Sequence, residues 1–291
     1  MQIKMKSFLV WVMVSLFYLA SGQELPAYRI FNSQGQVSSF GALAQEASER
    51  QIVLFGELHN NPISHWLQLE LTHALHAIKG QALVMGAEMF EADNQLLIDE
   101  YFSGLIAERN FRSEARLWNN FQTDIRPLLE FARENGLKFV ATNIPRRYAA
   151  LVHREGFEAL EKLSTQARSY IAPLPVAYDE DLPGYKAMLE MSAMHGQTNP
   201  NFPKAQAIKD ATMAHFIMKH FAPGNTFIHF HGTYHSNNYE GIVWYLQQTD
   251  SKPTLLTIAT AEQQNVDALD ESNIGIADFI IVVPQRMTKT H

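Results

Sequence analysis

One short pattern, Gly-x-x-His, occurs twice directly behind an apolar run. Gly56-Glu57-Leu58-His59 follows Ile52-Val53-Leu54-Phe55, and Gly232-Thr233-Tyr234-His235 closes a segment that begins Thr226-Phe227-Ile228. Glycine permits a tight turn or a close backbone approach, and the histidine then projects over the end of the run. Glu88 stands behind a third such run, Ala82-Leu83-Val84-Met85. Two imidazoles and two carboxylates suit either of two chemistries. His59, Glu88 and His235 are a ligand set for a divalent metal with open positions, whose bound water would be the nucleophile of a hydrolysis. Without a metal, a Glu–His pair such as Glu57 and His59 acts as general base toward water or an alcohol. His231, Asn143 and Arg146, placed at the ends of the corresponding runs, join Glu57, His59, Glu88 and His235 as catalytic candidates.

Each of these has a plainer reading. Glu57 and Glu88 also suit helix starts, where the macrodipole favours a carboxylate. His229 and His231 alternate with Ile228 and Phe230, so they share one face of a buried strand, where an imidazole has to be hydrogen-bonded whatever its role. Asn60 and Asn61 before Pro62 read as an N-cap and helix start. His65, His73, His76, His215 and His220 fall within helical patterns and read as surface or packing residues.

The elements that must position this set are legible as apolar runs. Six uninterrupted ones, at 52–55, 82–85, 139–141, 226–228, 255–258 and 279–283, suit strands buried on both faces of a parallel sheet. Amphipathic patterns near 62–79, 91–108, 123–135, 204–221 and 240–248 separate most of them. The alternation predicts an α/β fold, a mostly parallel sheet flanked by helices on both faces. A small hairpin over 28–40 and a short helix at 40–49 precede it. Residues 146–203, punctuated by five prolines and without a strand pattern, predict an all-helical lid inserted into one α/β domain spanning 23–291. Ligands of open α/β sheets collect outside the carboxyl ends of the strands, where Glu57, Glu88, Asn143 and His235 fall.

Composition narrows the function classes. Lys4 and Lys6, the apolar run Phe8–Ala20 and the small residues Ala20-Ser21-Gly22 read as an export signal over 1–22, which predicts a periplasmic or secreted protein. Removing that segment, which holds two lysines and no acid, takes the formal charge from −7 to −9, so a nucleic-acid partner is not expected. With no cysteine, disulfides, thiolate metal sites, thioether-attached haem and a lipid-modified cysteine are all excluded, and membrane association is not implied by the mature sequence. There is also no Gly-x-Ser-x-Gly elbow, His-Glu-x-x-His or phosphate-binding glycine loop.

Ile52-Val-Leu-Phe-Gly-Glu-Leu-His-Asn-Asn61, Gly86-Ala-Glu-Met-Phe90, Ala141-Thr-Asn-Ile-Pro-Arg146, Gln206 with Asp210 and Met213-Ala214, and His231-Gly-Thr-Tyr-His235 follow in order from about residue 28 to about 283. This ordered set resembles the ChaN-like haem-binding proteins, of the superfamily that holds the Tiki/TraB proteins and the erythromycin esterases. The resemblance implies a role in haem or iron acquisition, with haem as cofactor held between two protomers of a homodimer by a tyrosine ligand helped by a histidine. Among the lid tyrosines Tyr148, Tyr170, Tyr178 and Tyr185, it points to Tyr185 with His195 as haem-binding, against a reading in which they only pack the lid. The Tiki branch implies metal-dependent peptide hydrolysis instead, and the esterase branch a Glu–His site acting on an ester. A scaffold whose polar edge is purely structural is the third alternative.

Overall fold

The computed structural model of the protein describes residues 25–194, 196 and 199–291. The export-signal segment and His195 lie outside the described residues.

The six apolar runs all become strands. After β1 (Arg29–Asn32) and β2 (Val37–Ser38) come β3 (Ile52–Glu57), β4 (Leu83–Glu91), β5 (Lys138–Asn143), β6 (Thr226–Gly232), β7 (Leu255–Gln263) and β8 (Phe279–Pro284). They form one eight-stranded sheet in the order β2-β1-β8-β7-β3-β6-β4-β5. β3 to β8 are parallel, and the expected hairpin β1–β2 adds an antiparallel edge against β8. The α-helices of six residues or more are α1 (Phe40–Ser48), α2 (Pro62–Lys79), α3 (Gln95–Phe102), α4 (Glu108–Glu114), α5 (Arg126–Glu134), α6 (Arg146–Glu155), α7 (Pro183–Met194), α8 (Phe202–His220) and α9 (Ile242–Gln247). Residues 146–203 carry no strand among the described residues, as the proline punctuation predicts.

Two expectations shift. The helix expected over 91–108 is two helices, because β4 runs on to Glu91 and a turn at Gly104, with φ +75°, separates α3 from α4. The strands also outlast their apolar runs, so Glu57 is the last residue of β3 and Glu88 lies inside β4 rather than in a loop beyond it.

Alternation along the strands sorts the two faces. Val53 and Phe55 of β3, Met85 and Ala87 of β4, and Ile228 and Phe230 of β6 pack with Leu67, Leu71 and Leu75 of α2 and Leu128, Leu129 and Ala132 of α5. Ile52, Leu54, Val84 and Phe227 face Met213, Phe216 and Ile217 of α8 and Ile242, Val243 and Leu246 of α9. Full burial of one such side chain is worth about 1.5–3 kcal/mol, which locks the strand register, since a one-residue slip would exchange the faces. A separate small core packs Ile144, Val152, Leu160 and Ile171 against Ile208 and Ala211 of α8.

Candidate functional site

The period-two rule separates the four leading candidates before any contact is considered. Glu57 follows Val53 and Phe55 onto the α2 face, whereas Glu88 follows Val84 and Gly86 onto the α8 face. The two carboxylates therefore lie on opposite sides of the sheet and serve different partners.

On the α2 side, Asn61 caps the helix by accepting from the backbone N–H groups of Ile63 and Ser64, and Pro62 occupies its first turn. That cap turns the chain sharply, so the loop carrying His59 folds back over the sheet edge. His59 Nδ1 donates to Glu57 Oε1 at 2.9 Å, and Glu57 Oε2 accepts from Gln68 Nε2 at 2.6 Å. His65, one α2 turn before Gln68, lies 3.4 Å from Glu57 Oε2, and its Nε2 donates to the His59 carbonyl at 3.1 Å. Asn120 also donates to that carbonyl at 2.8 Å and to Asp124 at 2.9 Å. The ring of His59 meets the edge of Trp118 at 4.9 Å between centroids, and its side chain is 41% exposed. Burial alone would lower the His59 pKa, but the hydrogen bond to Glu57 and the charge of Glu88 outweigh it and raise it.

On the α8 side, the β4–β5 pairing shifts register between Ala87 and Glu91, where β4 spends four residues against two on β5. Such an irregularity re-aims side chains, and Glu88 sits inside it. Glu88 Oε2 accepts the Gly232 N–H at 2.8 Å, while Oε1 lies 3.2 Å from His235 Nε2. The other ring nitrogen of His235 lies 2.5 Å from Asp210 Oδ1, and Tyr185 donates to Asp210 Oδ2 at 3.2 Å. With a carboxylate at each nitrogen, an imidazolium satisfies both hydrogen bonds, although burial raises the Asp210 pKa against the opposing charge of His235. Burial would lower the His235 pKa, but Glu88 and then Asp210 overrule it and push it up to about 10. Glu88 is correspondingly held well below the usual carboxylate range: burial opposes ionisation, and His235 outweighs it.

The two halves meet over Gly232. A Cβ placed there would lie 2.8 Å from both Cε1 and Nε2 of His59 and 3.6 Å from Glu88 Oε2. The second Gly-x-x-His glycine is therefore needed by close approach, since its backbone (φ −62°, ψ 138°) is one any residue adopts.

Behind this edge, His229 and His231 share the α8 face as their alternation predicts. Thr142 Oγ1, His229 Nε2, His229 Nδ1, His231 Nδ1, His231 Nε2 and Ser236 Oγ form a buried chain with contacts of 2.7, 3.0 and 2.9 Å. Burial keeps both neutral, moving His229 down to about 3 and His231 well below its ordinary value.

In front of the edge lies a cleft of about 770 Å³, within the range of small-molecule and cofactor sites. His59, Glu88, Asn143 and Arg146 line it, together with Leu117, Trp118, Ile144, Phe202, Gln206 and Lys209. Glu57, His231 and His235 stand behind that wall. Asn143 donates to the Glu88 carbonyl at 3.0 Å, and its buried Oδ1 has no hydrogen-bond partner. Arg146 pairs with Glu91, which also holds Arg116 at 2.8 Å. Lys209 has no ion-pair partner among the described residues.

Two sequence expectations are corrected here. Among the described residues no group of three or more His, Asp or Glu side chains is arranged to hold a metal ion. His59, Glu88 and His235 do converge, but Glu57, Gly232 and Asp210 already occupy most of their donor and acceptor positions, so this set does not fit a divalent metal. His65, read from its helix as a surface or packing residue, is buried in the hydrogen-bond network of His59. Tyr185 is 4% exposed, stacks on Tyr178 at 5.4 Å and is absent from the cleft wall; burial and Asp210 raise its pKa far above the ordinary phenol value. Asp210 and Gln68 escaped the sequence reading as site residues. Gln68 signals itself only as a polar side chain on the buried stripe of a helix, and Asp210 in that way and as part of the ordered motif set.

The profile of a family described as haem-binding uptake, Tiki superfamily, ChaN matches residues 43–246. Among solved structures, that of ChaN of Campylobacter jejuni, described as binding heme cofacially, superposes with a TM-score of 0.65 at 16% identity, covering 90% of this chain and 98% of that one. A Bacillus cereus protein superposes at 0.50 with 12% identity, over 89% of this chain and 95% of that one. A mutant of the erythromycin esterase EreC in its open conformation superposes at 0.46 with 12% identity, over 81% and 77%. At these identities the first two likenesses show the fold alone, and the third carries no argument. No curated protein matches the sequence significantly.

Proposed function

Since the matched profile spans well over half of its length, this chain belongs to the ChaN haem-binding uptake family of the Tiki superfamily, and from that premise we propose that it binds haem in the cleft at the strand edge. One observation carries the reading to that place. His59 is oriented through Nδ1 by Glu57, which leaves Nε2 as a ligand nitrogen on the wall of a cleft with apolar sides. Leu117, Trp118, Ile144 and Phe202 suit the faces of a porphyrin, and Arg146 and Lys209 suit its two carboxylates. Haem, when bound, would supply an iron centre that an imidazole can ligate. The chain supplies the oriented imidazole, the apolar walls and the cations. Tyr185, to which the family resemblance points, would have to leave Asp210 before it could reach an iron.

Titration of purified protein with haem should give saturable binding and an imidazole-type absorption spectrum that His59→Ala removes. Binding no tighter than to a nonspecific carrier protein would refute the proposal. In the same reading the protein is exported, acts in haem or iron acquisition and is a homodimer when loaded. The basic and apolar start of the sequence supports export. N-terminal sequencing of the secreted or periplasmic fraction checks the cleavage, and sedimentation with and without haem checks the dimer.

A second reading, hydrolysis of an ester or peptide, rests on the unpaired Asn143 Oδ1 beside the oriented His59–Glu57 pair. There His59 Nε2 would take a proton from water while Asn143 accepts a hydrogen bond from it or from the substrate. Hydrolysis of model esters or peptides that is lost in both His59→Asn and Asn143→Ala would support this reading, and the absence of turnover would remove it.

A further inference from the structure

Part of the cleft wall comes from the segment that follows β8. Residues 285–291 pass the ends of β7 and β3, and His291 lines the cleft together with His59. The segment is held along its way. The Gln285 N–H donates to the Gln263 carbonyl at 2.8 Å, Lys289 pairs with Glu262, and the Thr290 N–H donates to the Asn60 carbonyl at 2.9 Å. We propose that this segment is a strap that makes His291 a second ligand-contacting residue of the cleft, with Thr290 as its positioning residue. The proposal rests on the haem reading of that cleft.

The strap and the His59 loop share one buried carboxylate. The Thr290 hydroxyl donates to Asp124 Oδ2 at 2.8 Å, the oxygen that also accepts from Asn120 at 2.9 Å and lies 3.6 Å from His65 Nε2. Asn120 and His65 in turn both donate to the His59 carbonyl. Satisfying Asp124 accounts for Thr290. It does not account for His291, which is exposed and whose one hydrogen-bond contact among the described residues is Nδ1 to Thr290 Oγ1 at 3.4 Å. Its Nε2 is left for a ligand. Because Thr290 is bonded to Asn60, His291 stands beside the His59 loop rather than across the cleft from it. A planar ligand whose iron meets His59 therefore meets His291 at its rim. The contact is a polar one to a rim carboxylate, which has acceptor sites beyond those a single cation fills, and not a second bond to iron.

The test is haem titration of the full chain, following affinity and absorption spectrum, with the melting temperature of each ligand-free variant measured alongside. His291→Leu should weaken haem binding about three- to tenfold, the value of one polar contact, while the spectrum keeps its imidazole form and the melting temperature stays put. Thr290→Val should weaken binding by a similar factor, and Thr290→Ser, which keeps the hydroxyl, should restore it. Thr290→Val/His291→Leu should bind no more weakly than His291→Leu alone, because Thr290 acts through His291. Wild-type affinity in His291→Leu overturns the proposal, and so do additive losses in the double variant, which would make Thr290 a support of the fold alone. A changed spectrum in His291→Leu overturns it as well, by placing His291 on the iron. Failure of wild-type protein to bind haem removes the haem reading itself, whereas wild-type binding that ignores His291 removes only the strap.

Discussion

Replacing Gly232 by Ala should weaken ligand binding at a modest cost in stability. The backbone at Gly232 (φ −62°, ψ 138°) accepts any L-residue, so no conformational penalty is expected. The added methyl, however, would lie 2.8 Å from Cε1 and Nε2 of His59, where carbon contacts settle at about 3.5–4.0 Å. The imidazole must retreat by about 0.7 Å or more, which stretches its 2.9 Å hydrogen bond to Glu57 past the usual limit. A hydrogen bond to a charged group contributes about 1.5–3 kcal/mol, and the half-exposed His59 belongs at or below the lower end of that range. We therefore expect a stability loss of about 1 kcal/mol and a haem affinity reduced about tenfold or more, since each 1.4 kcal/mol of misplaced ligand energy is a factor of ten. Urea unfolding and haem titration on Gly232→Ala, His59→Ala and the double variant measure both. In the His59→Ala background the methyl should cost almost nothing, because its collision partner is gone. Equal destabilisation in both backgrounds, or wild-type haem affinity in Gly232→Ala, would refute the reasoning.

Further consequences follow from the buried half of the site. His235→Gln leaves Glu88 and Asp210 buried without their shared imidazolium, so it should cost about 3–5 kcal/mol in urea unfolding. Adding Glu88→Gln should recover part of that, and a loss under 1 kcal/mol for the single change would sink the ion-pair assignment. Stability should peak near pH ~6.5. Below it the unfolded chain protonates His229 and His231 while the fold keeps them neutral, so each removes about 1.4 kcal/mol per pH unit, and Glu88 adds to the loss below its unfolded value of about 4.3. Above it the stability from His235, complete below about 6.5, is lost as the pH rises to about 10. Unfolding midpoints across pH 4 to 10 test this, on an approximate grid of one unit. A flat profile between about pH 7 and 9.5 contradicts it. Tyr185→Phe removes one donor from Asp210 and should lower stability by about 1–2 kcal/mol while leaving the haem spectrum unchanged. A changed spectrum would show instead that Tyr185 leaves Asp210 to ligate iron.

Much of the fold could be read directly. The apolar runs at 52–55, 226–228 and 279–283 are strands because uninterrupted Val, Ile, Leu and Phe suit a sheet covered on both faces. Asn61-Pro62 starts α2 because the asparagine carbonyl satisfies two free N–H groups and proline lacks the one it would leave unpaired. The polar ends of those runs marked the edge where His59, Glu88, Asn143 and Arg146 now line a cleft. Strand ends were less legible. Glu88 belongs to β4 because the pairing with β5 continues past it through a register shift, and no local residue pattern announces a shift that depends on the partner strand.

The sequence by itself determined which residues alternate, which stretches are buried and where polar chemistry is concentrated, because these follow from local periodicity and side-chain chemistry. The tertiary structure alone decided how those residues divide into working groups. β6 inserts between β3 and β4, which brings Gly232 beneath His59 and beside Glu88. Parity sends Glu57 to the helix that carries His65 and Gln68, and Glu88 to the helix that carries Asp210. What reads in one dimension as a single set of two carboxylates and two imidazoles is two separate pairs meeting over one glycine. One pair, His59 with Glu57, faces the cleft. The other is a buried ion cluster, in which the charges of Glu88 and Asp210 overrule burial and keep the imidazole charged.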